Sequence, residues 1–405
     1  MRFKTEKLGD FLYIKGRIGW KGLKKDEYLS DGVYRIINGE ALTKDGIDWS
    51  KAGFISKERY EESPEIMLQN DDILISKDGT IGKLGFVRNL ENPSTVASGI
   101  FVLRNLKPEM INIRFIYNYL SSVYFRNFII SRTEGSVIPH LYQKDFQNLY
   151  FPLPSLKEQN KIVDVLDTIS CKIEINKMIN NNLEQQAQAI FKYWFVDFEP
   201  FGKTMPNDWC NGTIDDLAKD IVCGKTPSTK KADYYGTNIP FITIPDMHDK
   251  IYSITTERHL SLLGANSQAK KNLPKNSICV SCIGTAGLVT LVAEESQTNQ
   301  QINSIIPKDG FSPYFIYLLM QTRSDTINKL GQGGSTIVNL NKSQFAKIQV
   351  TIPAISAMTD FDKIVSPIFE KVLQNQKENL CLTSLRDNLL PKLMSGELDV
   401  SNIKL

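Results

Sequence analysis

Few side chains in this sequence stand where chemistry could be done. Cys279 and Cys282 form a lone C-x-x-C, a spacing used by zinc and redox sites. No second pair and no nearby histidine completes a ligand set, so both are expected to be structural. The three histidines, His140, His248 and His259, share no ligand spacing. Pro245-Asp246 could open a nuclease carboxylate motif, but no Glu/Asp-x-Lys follows it. Gly331-Gln332-Gly333-Gly334 has the composition of a nucleotide loop, yet Arg132-Thr133-Glu134-Gly135, the matching stretch of the first half, is not glycine-rich. That favours a turn. The chain holds no G-x-x-x-x-G-K-[ST] loop for ATP, no Asp/Asn-Pro-Pro-Tyr/Phe tetrapeptide of amino-methyltransferases and no G-x-G strand-loop for S-adenosylmethionine. Asn92-Pro93 runs into Ser94 and reads as a turn. Neither a self-sufficient nuclease, nor a methyltransferase, nor a resident metal ion is expected.

The elements that carry these residues occur twice. Gly135-Ser136-Val137-Ile138-Pro139-His140-Leu141, followed by Phe146, returns 199 residues later as Gly334-Ser335-Thr336-Ile337-Val338-Asn339-Leu340, followed by Phe345. Ser76-Lys77-Asp78-Gly79-Thr80-Ile81-Gly82 returns as Ser281-Cys282-Ile283-Gly284-Thr285-Ala286-Gly287, and Phe115-Ile116-Tyr117 as Phe315-Ile316-Tyr317. A period this long describes two whole domains rather than a solenoid unit. Each half opens on a mixed segment of short β-branched and aromatic runs broken by Gly, Asn and Pro. A short helical stretch, a proline-marked strand and a long helix, at 156–195 and again at 355–393, complete each half. Residues 199–206 read as a linker.

A length of 405 residues, 41% of them hydrophobic, allows two or three domains with their own cores. The net charge of +3 is mildly basic and by itself says little about nucleic acid. Six cysteines are scattered, and neither a signal peptide nor a bilayer-length apolar run is present. A cytoplasmic protein with reduced thiols, away from any membrane, is the expectation.

The long helices carry the sharpest pattern. Ile162, Leu166, Ile169, Ile173, Asn176, Asn180, Leu183, Ala187, Ile190 and Trp194 alternate spacings of four and three, a coiled-coil seam. The second helix repeats it as Phe361, Val365, Ile368, Val372, Asn375, Asn379, Leu382, Arg386, Leu389 and Leu393. An antiparallel pairing would set Asn176 against Asn379 and Asn180 against Asn375, and buried amides favour the register in which they meet. The alternative is that these amides sit at a solvated point of the stripe, with Ile175, Met178 and Ile179 widening the apolar face for a partner. Pro367, where the first helix has Thr168, predicts a late start or a kink.

Together these features resemble the specificity subunit of type I restriction-modification enzymes over nearly the whole chain. The Gly-Thr-x-Gly turns and the Gly-Ser-x-Ile-x-x-Leu segments carry the resemblance. So do Leu153-Pro154-Ser155-Leu156-Lys157-Glu158-Gln159 at the start of the first long helix and the run 190–198 at its end. Gly224-Lys225-Thr226-Pro227-Ser228 and the closing stretch 389–398 fit as well. Two places depart from the pattern. Residues 353–358 lack the Glu-Gln pair, and Gly16-Arg17-Ile18-Gly19 stands where Gly-Lys-Thr-Pro is expected.

The resemblance implies an α+β chain of two pseudo-symmetric target recognition domains, residues 1–154 and 198–353. Two long helices, 155–197 and 354–405 with its tail, would join them as an antiparallel coiled coil. Each domain would read one half of a split, asymmetric site on double-stranded DNA. The seam from 162 to 194 would act as a ruler of ~50 Å at about 1.5 Å per residue, or ~15 base pairs. The implied partners are two modification subunits, which bind S-adenosylmethionine and methylate adenine, and restriction subunits that use ATP and Mg. No cofactor would bind this chain, and the missing catalytic motifs fit that division of labour. Candidate DNA contacts lie on four loops: Lys77, Thr80 and Lys83; Ser136, His140 and Lys144; Lys225, Thr226, Ser228 and Lys230; and Ser335, Asn339 and Lys342. The glycine-threonine and glycine-serine pairs could equally be structural turns, and Lys230 a solvated surface charge. A different class, a scaffold that presents two domains on a helical stalk to proteins rather than DNA, is the alternative.

Overall fold

Segments too short and too rich in β-branched residues for helices form short strands, and the two long periodic stretches form helices. The computed structural model describes residues 3–19, 22–43, 46–133, 140–332 and 339–400. The chain divides into two compact units, Met1–Cys171 with Leu382–Leu405 and Lys172–Cys381, so the division falls within both long helices.

In the first unit, β1 (Lys4–Lys7) pairs antiparallel with β11 (Tyr150–Leu153), Lys4 opposite Leu153. A four-stranded sheet has the order β2 (Leu12–Gly16), β10 (Ile100–Asn105), β7 (Ile73–Ser76), β8 (Leu84–Phe86). A three-stranded sheet sets β3 (Tyr34–Ile37) between β6 (Gly53–Ile55), antiparallel, and β9 (Ser94–Val96), parallel. β4 (Leu42–Thr43) and β5 (Gly46–Ile47) make a small hairpin.

Among the described residues the second unit repeats most of this pairing, without a counterpart of the small hairpin and with one strand added at the edge of the larger sheet. β12 (Cys210–Thr213) pairs with β21 (Gln349–Ile352). The larger sheet runs β13 (Ala218–Cys223), β20 (Ile302–Pro307), β17 (Ile278–Ser281), β18 (Val289–Val292), β15 (Tyr252–Ser253). β14 (Tyr235–Ile242) lies between antiparallel β16 (Arg258–Leu260) and parallel β19 (Gln297–Thr298). The repeat seen in the sequence is thus a repeat of topology, and the chain is α+β.

Each unit packs the face of its larger sheet against helices. Phe101, Phe115, Phe125 and Phe146 meet Ile162 and Leu166 of the long helix Leu156–Phe195 in the first unit. In the second unit Ile278, Val280, Leu291 and Ile305 of the larger sheet share a core with Phe315 and with Phe191, Phe195 and Phe361 of the two long helices, Leu156–Phe195 and Ile355–Ser395. That second helix starts at Ile355, well before Pro367, so the expected late start is not found. Pro367 lies on the exposed side, as does Lys363 one turn earlier. The carbonyl that a proline leaves unbonded can therefore be hydrated, which lowers the cost of running a helix through it.

The seam amides meet as the antiparallel pairing requires. Asn176 Nδ2 donates to Asn379 Oδ1 at 2.9 Å and to Glu378 Oε2 at 2.7 Å. Asn375 Nδ2 donates to Asn180 Oδ1 at 2.9 Å. Asn176 and Asn375 are each 1% exposed, so these amides are not at a solvated point. Ile175, Met178 and Ile179 are exposed and lie off the seam.

The Glu-Gln pair at the first long helix also finds its reason. Ser155 and Glu158 form a reciprocal capping box, with Ser155 N and Oγ donating to Glu158 Oε2 and Glu158 N donating back to Ser155 Oγ. The wholly buried Gln159 donates from Nε2 to Met110 O at 2.9 Å and Pro154 O at 3.0 Å, and its Oε1 accepts from Asn112 N at 2.9 Å. It ties the helix start to the N-terminus of the helix Ile113–Leu120. In the second unit Met358 fills the matching position, also wholly buried, and the tie is made instead by Ser312 Oγ donating to Asp362. Gln159→Leu, which strands two carbonyls and one N–H, is expected to destabilise the chain by roughly 2–3 kcal/mol. Urea unfolding measures this; an unchanged midpoint would show that those groups find other partners.

Candidate nucleic-acid interface

The S-x-x-G-T-x-G segments are the hairpin turns between β7 and β8 and between β17 and β18. In both, the serine carbonyl accepts from the last glycine of the motif, Gly82 N at 3.0 Å and Gly287 N at 2.9 Å. The serine hydroxyl then accepts the next backbone N–H, Lys83 N and Leu288 N, each at 2.9 Å. Gly82 and Gly287 have φ of +85° and +88°, and a Cβ would meet Ile129 in one case and Ser324 in the other. The glycines of this motif are therefore backbone devices, and the variable residues between them are what each turn offers to a ligand.

In each unit a second loop, far off in sequence, closes on this turn. Leu141 N donates to Lys77 O, and Leu340 N to Cys282 O. His140 Nδ1 meets Asp78 Oδ1, and Asn339 forms a β-bridge with Ile283. Two of the candidate loops, 77–83 and 140–144, thus come together in the first unit; in the second, 339–342 meets 282–287, a turn that held no candidate residue. Ser136 and Ser335 lie outside the described residues.

The candidates differ in what they leave free. Lys77 spends its ammonium over the Phe101 ring, 5.0 Å from the centroid, and Lys83 donates to Gly39 O. Lys342 lies 3.5 Å from the Asp220 carboxylate, and both side chains are exposed. Thr80, Lys144, Lys225, Ser228, Lys230 and Asn339 are exposed. Lys144, Lys225 and Lys230 form no ion pair among the described residues, so their charge is available to phosphates.

Gly224 and Lys225 are held on the β19 edge. Gly224 N donates to Ile302 O at 3.1 Å, Lys225 N donates to Thr298 O at 2.9 Å, and Gln268 Nε2 reaches Lys225 O at 2.8 Å. Beside them Thr226 Oγ1 donates to Gln300 Oε1 at 2.8 Å, and Cys282 N to Gln301 O at 2.8 Å. One polar edge therefore carries Lys225 and Thr226, the tip of the β17–β18 turn and Asn339. Gln300, exposed, and Gln301, half-buried, belong to it as well. Neither was among the candidates read from the sequence, where the unbroken polar run 296–301 was their signal. In the first unit Arg17 occupies the matching ground and is buried, donating to Val96 O, Ser63 Oγ and Thr95 Oγ1. The Gly-Arg-Ile-Gly departure thus exchanges an exposed lysine for an internal brace.

Cys279 and Cys282 are buried, and burial pushes their thiols up to about 12 and about 11. That suits two core side chains facing away from chemistry. Among the described residues no group of three or more His, Cys, Asp or Glu side chains could hold a metal ion, and no helix is long and apolar enough to cross a membrane.

The chain, with its two units of like topology, has counterparts among known proteins. A family model described as "Type I restriction modification DNA specificity domain" matches residues 2–185 and 206–380. The chain is 36% identical over 359 residues to the Type I restriction enzyme HindI specificity subunit of Haemophilus influenzae, covering 72% of this chain and 77% of that protein. It is 27% identical over 342 residues to the MjaIX specificity subunit of Methanocaldococcus jannaschii, covering 79% and 76%. The fold is similar to that of the S subunit of a type I restriction-modification system from M. genitalium. That match has a TM-score of 0.59 and 18% identity over 97% of this chain and 96% of the other.

Proposed function

We propose, from the premise that this chain belongs to the type I restriction-modification DNA specificity family, that it is the sequence-reading subunit of such a complex and leaves catalysis to its partners. Each unit reads one half of a bipartite, asymmetric site on double-stranded DNA through its paired loops, and the long helices set the spacing between the halves. Two modification subunits dock on the chain, bind S-adenosylmethionine and methylate one adenine in each half-site. Restriction subunits add ATP- and Mg-dependent cleavage, and the chain itself holds no cofactor.

The observation that carries this reading is the twofold convergence of a tight hairpin tip with a second loop, on units whose strands pair alike. Constant glycines with variable residues between them allow one scaffold to read two different half-sites. Groove edges are read by short polar side chains and phosphates are held by lysine, and the exposed Thr80 and Asn339 suit the first role and Lys144 the second. Lys225, exposed and without an ion pair, suits a phosphate. Lys225→Ala is expected to weaken binding of the assembled complex to every duplex alike and to lower the salt slope by about one. A titration of binding against salt measures both, and an unaltered slope would dismiss the contact.

The test of the whole reading is long-read mapping of adenine methylation in cells that express this chain with the modification subunit of its own system. A split methylated motif that disappears when the chain is omitted supports the reading. No motif, with both proteins folded and associated, overturns it.

A further inference from the structure

The second unit contains a cavity of about 740 Å³ that plays no part in the polar edge described above. Its floor is apolar and aromatic: Phe191 and Phe195 from the first long helix, Trp209, and Phe315, Leu318 and Leu319 from the helix Pro313–Thr322. All six are buried against the core yet line open space. Most of the polar groups at its rim are already spent on one another. Lys192 is paired with Asp197 at 2.6 Å. Gln321 donates to Glu184 Oε1 and to Tyr317 Oη, each at 2.8 Å, and accepts from Gln188 at 3.2 Å.

Arg323 is the exception. It lines the cavity, its Nε is buried without a hydrogen-bond partner, and its guanidinium makes no ion pair among the described residues. A planar cation in that position is matched by a carboxylate, which it can hold with two parallel hydrogen bonds. At the mouth Val196, just past the end of the first long helix, is 51% exposed, so an occupant seated on the floor covers it as well.

We propose that this cavity is a docking socket for a partner polypeptide segment that sets apolar side chains on the aromatic floor and a carboxylate on Arg323. The segment belongs to the modification subunit, and in this the proposal rests on the assembly reading above. Buried aromatic and arginine anchors of this kind carry a disproportionate share of interface energy.

The test uses the full chain and the modification subunit of its own system, with the dissociation constant measured by biolayer interferometry. Arg323→Met is expected to weaken association at least tenfold, and Arg323→Lys less. Thr322→Trp, at an exposed position of the rim, is expected to weaken it at least tenfold by filling the mouth. Hydrogen exchange at 188–196 and 313–323 should slow on complex formation in the wild type, and thermal melting of the free variants should match the parent. Wild-type association with unchanged affinity in both Arg323→Met and Thr322→Trp would overturn the socket while leaving the functional reading intact. Failure of the wild-type chain to associate or to direct methylation would overturn the functional reading, and the socket with it. Weakening by Thr322→Trp without any loss in Arg323→Met would overturn the carboxylate assignment.

Discussion

Gly224→Ala is expected to lower the stability of the second unit by about 3 kcal/mol and to reduce methylation of the whole site at least a hundredfold. The added Cβ would lie 2.1 Å from Asn299 O, 2.3 Å from Thr298 Oγ1 and 2.4 Å from Thr298 O. Two of these atoms are backbone of the segment that holds Lys225, Thr226 and Gln300 in one edge, so relief of the clash moves that edge. Each lost base-pair readout costs about 1–3 kcal/mol, and displacing the edge removes more than one. Gly79→Ala separates crowding from conformation: nothing lies within 4 Å of its Cβ, and only its φ of +65° opposes the change. It is expected to cost about 1–2 kcal/mol. Thermal melting and methylation of the split site check both variants. A Gly224→Ala protein that melts and methylates like the parent would show that the Gly-Lys-Thr-Pro turn tolerates displacement.

What could be read in the sequence follows the range of the forces involved. The seam was legible because helical periodicity is local: Ile162 to Trp194 and Phe361 to Leu393 each declare one face without reference to anything distant. The amide pairings followed once the two faces were set antiparallel, with a solvated stripe as the alternative. The turns were legible for the same reason, since Gly82 and Gly287 answer to their own backbone. The closure of each site was not. Lys77 and Leu141, 64 positions apart, are joined by a backbone hydrogen bond, and no periodicity announces a contact of that kind. The sheets hide similarly, because the parallel β3–β9 and β14–β19 pairs depend on chain segments dozens of residues apart. Gln300 and Gln301 escaped notice because a polar run reads as a surface loop. Here Gln297 and Thr298, within the run, are wholly buried, and Gln297 donates to Ala265 O at 3.0 Å. Arg17 is the converse, a motif departure that the fold turns into an internal brace.

Replacing Asn180 alone by leucine is expected to cost about 1–3 kcal/mol, because it leaves the Asn375 amide buried without its partner. Asn375 is 1% exposed, and among the described residues its Nδ2 donates to Asn180 Oδ1 alone, so water cannot substitute. The double variant Asn180→Leu with Asn375→Leu is expected to recover that loss or exceed it, since two apolar side chains then meet in a dry seam. Urea unfolding of the two singles and the double gives the coupling energy directly. Stability is not the reason to keep the amides; register is. A slip by one heptad would set Asn180 against Ile368 and Asn375 against Ile173, burying each amide on an isobutyl-sized surface with nothing to accept or donate. With Asn176, Asn180, Asn375 and Asn379 all changed to leucine, the slipped pairing loses that penalty. Seven residues correspond to ~10 Å of helix, and so to about three base pairs of spacer. Methylation maps of the quadruple variant are therefore expected to show half-sites at more than one separation, where the parent shows one. A single separation in the quadruple variant would mean that the globular parts of the two units, rather than four amides at the seam, hold the helices in register.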